Sequence, residues 1–394
     1  MGAPDLISID EARERVLAEV EPLGAERVAP KLGRVLAEAA VAGEDLPPFD
    51  ASAMDGFAVP GGEAATLRIE GESRAGAPSP SPLAAGTACR ISTGAVVPEG
   101  THAVVPVERT EALDGKVVVP ATGAGANIRR AGEDVRAGET TIAAGSEIGP
   151  AEIAVLASLG LPEVLCARLP AVAIAATGDE LVEPGAELAP GQIRNSNVYA
   201  LAAQAERAGA NVVMREHVPD EFEATREVLA RALDSADVVC VSGGVSVGPH
   251  DHVKAALAEL GVRERFWGVR LQPCKTTWFG TRDGRLVFGL PGNPVSAMVT
   301  FHLFARPALR ALQGADPGIQ AASARAGEPL RRNPKRDQMV RVRLEDDGDG
   351  WVARPTKEQG SHVLTSMLGA GALARVPAGE GDIGAGERID IELL

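Results

Sequence analysis

Between Pro170 and Leu312, short apolar runs alternate with amphipathic ones, and this rhythm restricts the chain to few architectures. "AVAIAAT" (171–177) reads as a buried strand, "NVYALAAQAERAG" (197–209) as a helix stopped by a glycine, and "NVVMREHV" (211–218) as the next strand. Asp220 and Glu223 stand as caps of a helix reaching Leu233. "ADVVCVS" (236–242) is a further strand, and 252–260 a further helix ended by Gly261. Strands alternating with helices of this length give a parallel sheet covered on both faces. Such sheets bind ligands beyond the carboxyl ends of their strands.

The flanking sequence has other periods. Ser8-Ile9-Asp10-Glu11 fits a capping box, with Ala12, Val16 and Val20 following at helical spacing. Residues 46–145 are rich in Gly, Pro and short β-branched runs, and Asp114-Gly115 in "ALDGKVVV" is a two-residue hairpin signal. Helical character returns from Pro150 to Leu159, stopped by Gly160. Residues 324–394 alternate charged and apolar between glycine turns, as in "MVRVRLE" and "RIDIELL". The expected fold is multidomain α/β. It comprises a doubly wound parallel-sheet domain (170–312), an inserted β-rich domain (46–145), a small helical linker region (1–45 and 146–169) and a C-terminal antiparallel β domain (313–394).

Composition excludes several function classes. The 394 residues allow two to four domains at about 100–200 residues each. A net charge of −15 opposes attraction to nucleic acid or to an anionic membrane. An aromatic content of 3% leaves little surface on which to stack bases. Cys89, Cys166, Cys240 and Cys274 form no CxxC pair and read as buried thiols of a reducing compartment. No apolar run reaches membrane-spanning length, and no signal-peptide pattern is visible, so a cytoplasmic location is expected.

Two loops carry the chemistry. In "SGGVSVGPHD" (242–251), Gly243, Gly244 and Gly248 let main-chain N–H groups approach a ligand, and Ser242 and Ser246 add hydroxyls. The loop reads either as a cradle for a phosphate or as a tight strand-to-helix turn with no ligand. It matches neither common nucleotide fingerprint. "GLPGNPVSA" (289–297) is a second small-residue loop, stiffened by Pro291 and Pro294 around Gly292 and Asn293. Both follow strands of one sheet, so they converge on one edge. Glu180, Asp220 and Asp251 also fall near strand ends. Each reads as a helix cap, or as a ligand to a divalent cation, since carboxylates repel an anion unless a cation lies between. Mg²⁺ suits this, because it takes one or two carboxylates together with phosphates and waters. The two histidines of "PHDH" (249–252) share no helical face and do not read as a transition-metal site.

"PPFDASAMDGFAV" (47–59) has no evident packing reason for its run of small residues before Asp55. It resembles the signature of the molybdopterin molybdenumtransferases, the MoeA-type molybdenum insertion enzymes related to the C-terminal domain of gephyrin. The resemblance extends through "STGAVVPEGTHAVVPVE" (92–108), "NIRRAGED" (127–134), "TGDEL" (177–181), "GQIRNSN" (191–197), both loops above, and "QGSHVLTS" (359–366). It implies an elongated four-domain subunit acting as a homodimer, with 170–312 as the molybdopterin-binding domain. It implies a reaction in which adenylylated molybdopterin and molybdate, with Mg²⁺, yield molybdenum cofactor and AMP. A further implied partner is the molybdopterin adenylyltransferase of the same pathway. The family's functional positions fall on Asp55, Thr93, Arg129, Asp134, Glu180, Asp220, Asp251, Pro291, Pro294 and Ser366. With the residue-level reading, Asp55, Glu180, Asp220 and Asp251 are the expected catalytic acids, the last three as metal ligands. Arg129, Arg130, Arg194 and Lys275 are the cations that offset molybdate and AMP.

The chain departs from the family pattern in "WGVRLQPCKTTWFG" (267–280). Gly268 and Gln272 stand where lysines are frequent, Cys274 where glycine is usual, and Thr276 where a proline is common. Gly371 stands where an Asn is usual. These exchanges bear on efficiency and on the choice between molybdate and tungstate. They also favour a second reading, a non-catalytic molybdopterin-binding scaffold. A third reading, a related molybdopterin adenylyltransferase, shares the "SGG" loop but does not account for "SAMDG" or the C-terminal β domain.

Overall fold

The structure is a computed structural model that describes residues 6–245 and 252–394. The chain divides into two compact units. One holds Val28–Leu32 and Glu38–Val164, the other Met1–Arg27, Gly33–Ala37 and Leu165–Leu394. Helix α1 (Ile9–Leu17) opens the second unit, and the Ser8 hydroxyl accepts from the Glu11 amide at 3.1 Å, as the capping pattern predicts.

The β-rich unit is built on strands β1 (Gly56–Val59), β2 (Ala65–Ser73), β3 (Thr87–Ile91), β4 (Ala103–Pro106), β5 (Glu111–Leu113) and β6 (Lys116–Val119). They lie in the order β4-β1-β3-β2-β6-β5. The pleat sends alternate residues to opposite faces. Phe57, Val59, Val105 and Val117 pack on one side, and Ala58, Cys89, Ile91 and Val104 on the other. The β5–β6 hairpin turns at Asp114 (φ 51°) and Gly115 (φ 75°), the positive pair that an Asp-Gly turn supplies. Helix α2 (Pro150–Ser158) follows, with proline in its first turn.

The second unit carries the three-layer arrangement. Its strands are β7 (Ala171–Thr177), β8 (Asn211–Val218), β9 (Val238–Ser242), β10 (Arg263–Trp267), β11 (Trp278–Arg282) and β12 (Arg285–Leu290). Its helices are α3 (Asn197–Arg207), α4 (Phe222–Ser235), α5 (Val253–Glu259), α6 (Pro294–Thr300) and α7 (Arg306–Leu312), with a π turn at Phe301–Ala305 joining the last two. The sheet order is β8-β7-β9-β12-β11-β10. The first four strands are parallel, while β11 and β10 add an antiparallel edge through a hairpin turning at Asp283 and Gly284, both at positive φ. Val172, Ile174, Val238 and Cys240 face α1, α3 and α7; Ala173, Ala175, Val239 and Val241 face α4 and α5. Burial pushes the Cys240 thiol up to about 12, and all four cysteines are buried and unpaired.

Strands β13 (Ala321–Ala326), β14 (Asp337–Asp346), β15 (Trp351–Pro355), β16 (Ala372–Val376) and β17 (Arg388–Leu393) complete the unit. Each pairs with two others, β14-β15-β13-β17-β16 and back to β14, so the sheet closes on itself. One pairing, β13 with β15, is parallel. Closure leaves no free edge, which the alternating pattern alone does not reveal. Among the described residues no helix is long and apolar enough to cross a membrane.

Residues 6–27 therefore lie with the sheet. Ile9, Ala12 and Val16 are fully buried in the same cluster as Val172 and Ile174. Ile9→Ala should destabilise this unit by about 2–4 kcal/mol in urea unfolding. A loss below about 0.5 kcal/mol, the size seen at surface positions, would contradict this packing.

Candidate active site at the carboxyl rim of the sheet

The four parallel strands end level. Thr177 is in register with Val218, Ala176 with Ser242, and Ser242 with Leu290. The two small-residue loops leave this rim together. The Gly243 amide donates to the Leu290 carbonyl at 3.0 Å, and the Ser242 hydroxyl donates to the Pro291 carbonyl at 3.1 Å. The Asn197 amide group, at the start of α3, donates to both the Ser242 hydroxyl (2.8 Å) and the Gly292 carbonyl (2.7 Å). Asn197 thus clamps one loop to the other. It was not among the expected site residues, although it closes the "GQIRNSN" motif.

Sterics explain the glycines. Gly243 has φ +92°, and a Cβ there would stand 2.8 Å from Thr177 Oγ1 and 2.9 Å from its carbonyl oxygen. A Cβ on Gly244 (φ +64°) would meet the Val253 side chain at 2.5 Å. At Gly292 the nearest atom is the Gly243 Cα, at 3.8 Å. The two loops therefore touch, and Gly292 and Asn293 are exposed beside them. Ser242 is buried, and its hydroxyl is engaged with Asn197 and Pro291 rather than offered to a ligand. Ser246, Gly248 and Asp251 lie outside the described residues.

The acids gather at the neighbouring strand ends. Glu180 is exposed and its carboxylate folds over Gly178, so close that a Cβ on that glycine would meet Oε2 at 2.4 Å. Asp179 accepts from the Asp220 amide at 3.0 Å, and the His217 ring contacts the Gly178 carbonyl at 2.7 Å. Helix α4 begins after Glu221, so Asp220 precedes the helix and does not cap it. Among the described residues no group of three His, Cys, Asp or Glu side chains forms a metal cage.

The C-terminal β part reaches this rim through 358–366. Asn293 donates to the Ser361 hydroxyl at 2.9 Å, and the Val295 amide to the Ser361 carbonyl at 3.2 Å. Behind Ser361 stands Arg341, wholly buried. Its guanidinium donates to the carbonyls of Glu358, Gln359 and Gly360 and to the Ser366 hydroxyl at 3.1–3.3 Å. Burial lowers the Arg341 pKa from its ordinary value. Ser366 is equally buried, so its hydroxyl serves Arg341 and the Val363 carbonyl inside the protein. The sequence reading missed Arg341, whose only signal is an inward position in an alternating strand.

The cations are dispersed. Lys275 is exposed, whereas Arg194 donates to the carbonyls of Glu183 and Ala186 in its own loop. Gln272 accepts from the Asn333 amide group at 2.6 Å. Cys274 is buried at φ +94°, a backbone conformation that favours glycine, and burial pushes its thiol up to about 12. Gly268 also has positive φ, and Leu6 fills the space where its side chain would be.

The β-rich unit holds the other expected residues. The Asp55 carboxylate accepts from the Thr93 amide at 2.7 Å, so these two are neighbours. Arg129 lies exposed on a two-residue strand paired with Ala51, and Asp134 is exposed with its amide on the Leu46 carbonyl. Arg130 is engaged with Asp50, whose carboxyl is held below its usual range by the Ala131 amide and by Arg130 itself.

Comparison with known proteins decides the family. Three family models match in succession: the MoeA N-terminal region (domain I and II) over 7–160, the probable molybdopterin binding domain over 173–311, and the MoeA C-terminal region (domain IV) over 323–394. The molybdopterin molybdenumtransferase of Haemophilus influenzae is 34% identical, covering 98% of both chains. The chain belongs to the MoeA family of molybdopterin molybdenumtransferases. The Nostoc molybdopterin molybdenumtransferase is 36% identical over 91% of this chain and 85% of its own. The molybdopterin biosynthesis MoeA protein of Pyrococcus horikoshii superposes with a TM-score of 0.84 at 30% identity, over 99% of each chain. As a MoeA-family member the chain is a transferase of molybdenum cofactor biosynthesis.

The rim geometry predicts unequal responses from two adjacent glycines. Gly243→Ala should cost about 1–3 kcal/mol of stability, because backbone strain adds to the clash with Thr177. Gly292→Ala should stay within about 0.5 kcal/mol of the parent. Equal thermal unfolding shifts for the two variants would contradict the assigned conformations.

Proposed function

We propose that this chain inserts molybdate into adenylylated molybdopterin, releasing AMP and forming molybdenum cofactor. The observation that carries this reading is the junction of the Gly243 and Gly292 loops beside Glu180 and Asp220. An exposed main-chain surface suits a phosphoanhydride, because amides approach it without intervening side chains. Asn197 keeps the two loops at fixed separation, so their amides are oriented before substrate arrives. Ser361, held by Asn293 and backed by Arg341, limits the site on the barrel side.

The donor set fits Mg²⁺. Glu180 and Asp220 present two carboxylates at the rim, and Mg²⁺ needs one or two with the balance from phosphates and water. Asp251 is the third proposed ligand. When bound, Mg²⁺ supplies polarisation of the phosphoanhydride and offsets its charge. Lys275 supplies cationic charge towards the oxyanion. No protein nucleophile is required, since the dithiolene sulfurs of the pterin and the oxyanion provide the bonds that form.

The proposed assembly is a cytoplasmic homodimer in which Asp55, Thr93, Arg129 and Asp134 of one subunit complete the rim of the other. The molybdopterin adenylyltransferase of the pathway is the proposed source of substrate. The scaffold reading draws support from Gln272, which is tied to Asn333 where a lysine would be free to reach an anion.

Turnover separates the readings. With adenylylated molybdopterin, molybdate and Mg²⁺, the chain should release AMP, and chelation should stop this until Mg²⁺ is restored. Glu180→Gln should lower the AMP rate at least about tenfold, the usual scale for losing one electrostatic partner. Binding of the substrate without AMP release would leave only the scaffold. Mixing inactive Asp55→Ala with inactive Glu180→Ala subunits should restore AMP release if sites form across the dimer; a mixture as inactive as its parts would refute a shared site. Gln272→Lys should tighten molybdate binding, and an unchanged affinity would remove the proposed role of that position.

A further inference from the structure

One row of the sheet lies directly beneath the glycine rim. Across β9, β12, β11 and β10, Val241, Gly289, Trp278 and Trp267 stand side by side, one residue below Ser242 and Leu290. Two antiparallel steps make β10 run parallel to β12, so Trp267 ends its strand at the same carboxyl rim. Val241, Trp278 and Trp267 all pack in the cluster that faces α4 and α5.

Gly289 leaves a gap in this row, and Val245 fills it. A Cβ on Gly289 would stand 2.6 Å from Val245 Cγ1 and 3.0 Å from Trp278 Cβ. Val245 is accordingly buried. The chain that leaves β9 through Gly243 and Gly244 thus turns back and seats its next residue against the sheet.

Trp267 then holds that residue by its main chain. Strand β9 ends at Ser242, so the Val245 carbonyl has no ladder partner there. The Trp267 indole, a donor only, supplies one through Nε1–H at 3.0 Å. The same ring faces Lys254, whose ammonium lies 5.0 Å from the ring centroid, a cation–π distance. Lys254 is in the first turn of α5, next to the Val253 side chain that occupies the space a Cβ on Gly244 would need. One indole therefore fastens both Val245 and Lys254, which flank 246–251. Asn197 and Leu290 fix the loop at Ser242 and Gly243, and Trp267 fixes it two residues later. Main-chain donors assist a charged substrate by being oriented before it arrives, so both attachments bear on the reaction.

We infer that Trp267 is a positioning residue for the transferase reaction: by fastening Val245 and Lys254 it sets the main chain of Gly243 and Gly244 for the phosphates of the substrate. This rests on the rim being the substrate site, as proposed above.

The test compares the full chain with Trp267→Phe, which keeps an aromatic ring and removes the N–H. Amide hydrogen exchange at Gly243, measured by NMR without ligand, should speed up at least about tenfold relative to Cys240 on β9, as local opening requires. Affinity of the folded protein for adenylylated molybdopterin with Mg²⁺ should fall at least about fivefold. A role in packing alone would speed both amides equally and leave the affinity at the parent value. An unchanged exchange ratio, or a parent-like affinity, overturns the inference. If Trp267→Phe does not fold, Lys254→Met takes its place and should weaken substrate binding at least about twofold, the scale of one cation–π contact; parent-like binding then overturns it. A parent that binds substrate but releases no AMP removes the molybdate-insertion reading alone, and exchange and affinity still decide the role of Trp267. A parent that does not bind the substrate removes both.

Discussion

Thr177 and Gly243 approach each other so closely that no side chain can stand between them. The hydroxyl and carbonyl of Thr177 lie 2.8 and 2.9 Å from where a Cβ on Gly243 would be. This contact brings the end of β7 against the loop that leaves β9. The Gly292 loop then lies against Gly243, and Asn197 bonds to both sides. The result is a rim made of main chain, with the carboxylates of Glu180 and Asp220 at its neighbouring strand ends. The level ends of four parallel strands make this convergence possible, because the register puts Ala176, Ser242 and Leu290 at one height.

Charge is arranged differently from what a simple cation count suggests. The chain carries a net −15, and several of its arginines are already engaged within their own units. Arg130 serves Asp50, Arg194 serves its own loop, and Arg341 serves carbonyls. Arg341 has its donors directed to backbone oxygens, which holds the 358–361 segment against Asn293. The departures from the family pattern have visible neighbours. Gln272 is fixed by Asn333, Leu6 occupies the space beside Gly268, and Cys274 takes a backbone conformation suited to glycine. A Cβ on Gly371 would meet Leu344 at ordinary contact distance, and nothing in the structure explains the absence of a side chain there.

Much of the fold was legible because its signals are local. The apolar runs of β7 and β9, the Ser8 cap and the Asp114-Gly115 turn each depend on few adjacent residues. Asp283-Gly284 carries the same turn signal, yet the antiparallel edge it creates went unread among parallel strands. Barrel closure was not legible, since an alternating strand looks alike whether its sheet is open or ring-shaped. At the site, glycines and prolines announced the loops. The roles of Ser242, Ser366 and Arg341 were hidden, because a hydroxyl or guanidinium in a sequence does not reveal whether it faces a ligand or the interior. The burial of Ile9 beside Ile174 is equally a matter of packing between segments distant in the chain.

The account rests on main-chain amides at the glycine rim receiving the phosphates of the pterin nucleotide. A crystal structure of the chain with adenylylated molybdopterin, molybdate withheld, tests this directly. Phosphate oxygens should lie about 2.7–3.2 Å from amides of the Gly243 and Gly292 loops, within reach of Glu180 and Asp220. Ligand density on any other surface, with this rim left to solvent, would contradict it.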